Sequence, residues 1–177
     1  MIRDIILYPD GRLETRCEPV EEFDSPDLYQ LVSAMFESMY FYEGLGLAAP
    51  QIGVMRQVAV IDPSSGRDSG KMIVLVNPTV VGMLGTQCSE EGCLSFPGFV
   101  ERITRSISVI VDARDATGSA VRLQSDGLLS RALQHEIDHL NGILFIRRMS
   151  SLKRQLIRRR IRKMLRAGHW GPIRISP

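Results

Sequence analysis

The first clear period along the chain is Leu28, Leu31, Val32, Met35 and Met39, apolar at the three- and four-residue spacing of one helical face. Ser25, Pro26 and Asp27 precede it as cap, first-turn proline and first-turn acid, and Gly44 stops it. Four β-like runs follow, at 57–61, 72–76, the alternating Ile107, Val109, Val111 and Ala113, and 120–123, divided by turn-rich pieces such as PSSGRDSG and DATGS. A second helix is expected over 127–141. A third fills the tail, where Leu152, Leu156, Ile157, Ile161, Met164 and Leu165 form one stripe ending near Gly168. Strands between helices predict a single α+β domain spanning 1–177, with a mostly antiparallel or mixed sheet and a basic helix and tail over 150–177.

Composition narrows the class without naming a function. A chain of 177 residues, 44% hydrophobic, supports one globular core and excludes collagen-like, disordered and disulfide-scaffold proteins. The longest aliphatic stretch, 72–76, falls far short of the ~20 residues a membrane span needs. Asp4 and Pro9 interrupt what a secretory signal would need as an apolar run. Three cysteines, Cys17, Cys88 and Cys93, cannot all pair, so a reduced cytoplasmic setting is expected, with thiols free for a metal or for chemistry. Charge is divided unevenly. Residues 1–146 carry 11 Lys and Arg against 20 Asp and Glu, whereas 147–177 carry 11 Lys and Arg and no acid.

The sharpest chemical signal is His135, Glu136, Ile137, Asp138, His139, an HExxH pattern on the second helix. Residues four apart share a helix face, so both histidines can hold one ion with Glu136 beside them as a base. A helical wheel places Ser130, Arg131, Gln134, Asp138 and Asn141 together on what reads as a solvated face. Leu129, Ala132, Leu133, Ile137, Leu140 and Ile143 form the apolar side, and Glu136 falls among them. A carboxylate there is costly unless paired, neutralised or used.

A catalytic site of this type keeps three protein ligands and an open position. No Asp or Glu follows Asp138, which removes a thermolysin-like third ligand, and Phe145 stands where a metzincin has its third histidine. His169 or an upstream cysteine remains. Cys93 lies in EEGCLSFPG, a loop shaped by Gly92, Pro97 and Gly98 in which the Leu94 N–H can face a cavity. Cys17 and Cys88 lack such a frame. In GLGLAAPQIG, small residues allow close backbone approach and Gln51 can donate to an oxyanion.

Taken together, GLGLAAPQIG, EGCLS and QHEIDH resemble the peptide deformylase family, metalloenzymes that remove the N-formyl group from newly made polypeptides. The resemblance covers about residues 1–165. It implies Cys93, His135 and His139 as metal ligands, Glu136 as general acid and base, and Gln51 with the Leu94 N–H as oxyanion donors. It also implies Gly46 against the substrate backbone, and Leu45 and Leu128 around a methionine pocket. Ferrous iron is the implied metal, with zinc or nickel as replacements. Arg147 stands where relatives commonly carry an acid, which puts an ion pair there in question, and Arg131 is expected to line the pocket with its stem while its head stays in water.

The implied substrates are N-formylmethionyl nascent polypeptides. The basic helix is expected to dock on the body and to contact the ribosome through its charged face; no DNA partner is expected, and no Trp or Phe within 151–166 favours a membrane surface. The competing readings are an HExxH metallopeptidase and a ribosome- or RNA-binding protein with a vestigial site.

Overall fold

A computed structural model describes residues 1–172 of the chain. The first helix, α1, runs Pro26–Phe41, with the Ser25 hydroxyl accepting the Leu28 N–H at 3.4 Å as the cap predicted from sequence. Seven strands follow: β1 (Gly46–Ala48), β2 (Val58–Ile61), β3 (Ile73–Leu84), β4 (Gln87–Gly92), β5 (Val100–Arg105), β6 (Ser108–Arg114) and β7 (Ala120–Asp126). Five of them form one antiparallel sheet in the order β1-β2-β3-β6-β7, and β4 pairs with β5 as a separate hairpin. The α+β class and the antiparallel sheet match expectation.

Strand period sorts the side chains onto two faces. Leu47, Val58, Val60 and Val76 pack with α1, whereas Ala48, Ala59, Ile61 and Leu75 pack on the other side with the second helix, α2 (Gly127–Leu140). All four residues of β2 are therefore buried, and its sequence is the unbroken apolar run VAVI. Burying both faces fixes the register of β1 and β2, since a one-residue slip would exchange the two cores.

The solvated face expected for α2 is a correction. Every residue from Ser130 to Leu140 is buried, Arg131, Gln134 and Asp138 included. The polar side of the helix meets polar partners instead of water. Gln134 and Ser130 both donate to the Ser106 carbonyl, at 3.0 and 3.1 Å, and Asp138 accepts from Arg105 at 2.8 Å. The hairpin β4–β5 supplies much of this cover, and it was not expected because its two strands, QCSEEG and VERITR, are polar.

The third helix, α3 (Ser151–Arg166), docks as expected but with a narrower inner face. Ile157 and Ile161 are buried beside Phe96, Phe99 and Phe145, with Met164 partly buried, while Leu152, Leu156 and Leu165 of the predicted stripe are exposed. The last five residues of the predicted tail, 173–177, lie outside the described part of the chain.

Candidate metal centre and active site

Helix α2 delivers His135 and His139 from one face, one turn apart, with Nε2 atoms 3.2 Å from each other. The loop after β4 brings Cys93 to them, its Sγ 3.3 Å from His139 Nε2. Cys93, His135 and His139 are the cluster able to hold an ion among the described residues, with ligand atoms all within 4.8 Å of one another. Two nitrogens at about 2.0–2.1 Å from one ion at a tetrahedral angle would sit roughly 3.4 Å apart, so the spacing fits a divalent cation. The donor set, one thiol and two imidazoles, fits as well. His169, the other candidate ligand, follows α3 and is not part of the cluster. Cys17 is buried and its pKa is pushed up to about 11 by burial, which leaves it an inert core thiol.

His135 Nδ1 meets Glu91 Oε1 at 2.6 Å, which directs Nε2 at the cluster. Glu91 in turn accepts from Arg105 Nε and Nη2 at 2.7 and 2.6 Å and from Arg131 Nη1 at 2.8 Å. Burial opposes ionisation of Glu91, but the Arg105 and His135 hydrogen bonds outweigh it and hold its pKa well below the usual carboxylate range. Arg105 also reaches Asp138 Oδ2 at 2.8 Å, and Arg148 grips both Asp138 oxygens at 2.6 Å. The expectation for Arg131 is thus corrected: its head is buried, bonded to Glu91 and, at 3.0 Å, to the Ile103 carbonyl. Arg147 does make an ion pair, with Glu14 at 3.0 Å.

Glu136 has no such cations. It is buried, its Oε2 has no hydrogen-bond partner among the described residues, and its carboxylate packs against Gly46, where a Cβ would stand 2.5 Å from Oε1. Burial pushes its pKa up to about 7, with the charge at His135 opposing. The carboxylate forms part of the wall of a cavity of about 480 Å³ that also takes in Cys93, Leu94, Leu45, Gly46 and Leu128. Gln51 is there too. Its Oε1 accepts the Ala48 N–H at 2.9 Å, which turns its amide NH2 toward Ser95 Oγ at 3.2 Å and Cys93 Sγ at 3.6 Å. The Leu94 N–H has no backbone acceptor among the described residues.

A thiol and two imidazoles converging beside an unpartnered carboxylate is the arrangement that the three sequence segments implied, and the family model for polypeptide deformylase matches residues 2–155. The chain belongs to that family. Peptide deformylase of Acidobacterium capsulatum is 51% identical over 170 residues, covering 96% of this chain and 99% of that one. Peptide deformylase of Thermodesulfovibrio yellowstonii is 45% identical, over 91% and 97%. Among solved structures, a peptide deformylase from Legionella pneumophila superposes with a TM-score of 0.88 at 44% identity, covering 97% of this chain and all of that one. As a deformylase, the chain is a metal-dependent enzyme that removes the N-formyl group from newly made polypeptides.

The structure brings together Cys93, His135, Glu136, His139 and Gln51, which the sequence singles out, and beside them Arg105 and Arg148, which it does not. The signal available for them was indirect: Glu91 and Asp138, on or beside the motifs, are acids that burial obliges to find cations.

Proposed function

We propose that Cys93, His135 and His139 hold the ion and that Glu136 is the general acid and base of deformylation. The supporting observation is the buried, unpartnered Glu136 carboxylate facing the cavity beside that cluster. Held by Cys93, His135 and His139, a divalent ion would supply Lewis acidity and would bring the pKa of water at the site towards neutrality. Glu136 takes a proton from the attacking water and delivers it to the amine nitrogen as the C–N bond breaks, leaving formate and a free amino terminus. A pKa near neutrality suits a group that must do both. Gln51 Nε2 and the Leu94 N–H donate to the negative charge that develops on the formyl oxygen.

Gly46 lies against the substrate backbone on β1, the end strand of the sheet, which can accept an extended peptide as a further strand. Leu45 and Leu128 shape the methionine pocket; Leu128 is 62% exposed and thus has apolar surface to cover. Ferrous iron is the metal we assign, on the family resemblance alone; one thiolate and two imidazoles suit iron and zinc alike. We place the enzyme in the bacterial cytoplasm, where formylated chains are made, and treat residues 1–177 as one deformylase-like domain. The test is anaerobic purification followed by metal analysis and formate release from a formyl-Met peptide. About one iron per chain and turnover are expected for the parent and loss of the ion for Cys93→Ala; unchanged metal content in Cys93→Ala would discard the ligand assignment.

A further inference from the structure

Beyond α3 the chain returns to the body and ends its described part in the active-site cavity. The Trp170 indole N–H donates to the Tyr8 carbonyl at 2.6 Å, and its ring meets Phe99 edge-on with centroids 5.8 Å apart. Arg160 of α3 lies over the same Phe99 ring at 5.2 Å. Tyr8 stacks on Phe96 at 4.9 Å, and its N–H donates to the Ser95 carbonyl at 3.0 Å. Two separate contacts therefore anchor Trp170 to the loop that carries Cys93 and Leu94. Two residues later Pro172, partly buried, lines the same cavity as Glu136.

The cavity has a buried base and an exposed rim. His135 and Glu136 are buried, whereas Gly98 and Val100 are exposed, Val100 at 60%. A formylated end at Glu136 obliges the rest of the peptide to run outward, at about 3.3 Å per extended residue, so the second and third residues pass the rim. A cavity in the ~300–1,000 Å³ range admits more than one residue. Phe99, Val100 and Pro172 are uncharged, apolar members of the cavity's lining.

We propose that Pro172, held in place by Trp170, is a specificity-determining residue: it forms the wall against which the substrate side chains after the formylated methionine pack, and favours apolar ones. This rests on the deformylase reading of the cavity. The test compares kcat/KM for formyl-Met-Ala-Leu with that for formyl-Met amide, using iron-loaded parent, the chain ended after Gly168, and Pro172→Gly. Pro172→Gly keeps Trp170 with its contacts to Tyr8 and Phe99, so it removes the proline ring without removing the anchor. The proposal expects the ratio of longer to shorter substrate to fall about fivefold or more in both variants, through KM for the longer one. A ratio within twofold of the parent in Pro172→Gly, or equal losses on both substrates in both variants, would overturn it. Failure of the parent to release formate from either peptide would instead count against the deformylase reading itself.

Discussion

Two glutamates flank His135 and end in opposite states. Glu91 has Arg105 and Arg131 as direct partners and is held as the anion, whereas Glu136, buried without a cation of its own, sits near neutrality. In the site we propose, one orients a ligand and the other moves the proton. Replacing Glu91 by Gln leaves Arg131 without its carboxylate partner and Arg105 with Asp138 alone, and loosens the His135 ring. Metal affinity is expected to fall roughly 10- to 100-fold, measured by competition with a chelator; retention of parent affinity would show that His135 needs no such support. The histidines and Glu136 were legible because a helix converts spacing into a shared face. Cys93, 46 residues before His139, was legible only through its motif, since no local period links a loop to a helix so far along the chain.

At the level of elements, the helices were read closely and the hairpin was not. Caps and apolar period are local, which is why α1 begins at Pro26 as predicted. Polarity, however, does not report solvent: the polar side of α2 is buried because Glu91, Arg105 and Arg148 meet it, and the same inward charges disguised β4 and β5. The end of α2 is fixed by Gly142. It has φ +70, and a Cβ there would stand 2.8 Å from the Glu14 backbone. Both the left-handed backbone and the clash count against any other residue. Gly142→Ala is expected to cost about 2–4 kcal/mol, read from the urea midpoint at unchanged slope; a cost below about 0.5 kcal/mol would mean that the loop moves aside freely.

Across the whole molecule, the acidic body holds every residue assigned to the metal or to proton transfer, and the basic segment contributes to the cavity only through Pro172 among the described residues. Docking of α3 uses Ile157 and Ile161, and leaves Arg159, Arg162, Lys163 and Arg166 exposed around Leu156. We propose, as the sequence led us to expect, that this surface contacts the ribosome, and such contact should weaken with salt. Sedimentation with ribosomes is expected to carry down the full chain and not a chain ended before residue 150; equal binding of the two would end that assignment. The central claim concerns Glu136, and iron content together with formate release from a formyl-Met peptide by Glu136→Gln tests it most directly. The account predicts an ion retained at about one per chain and turnover lowered by about 10²-fold or more; near-parental turnover by that variant would contradict it.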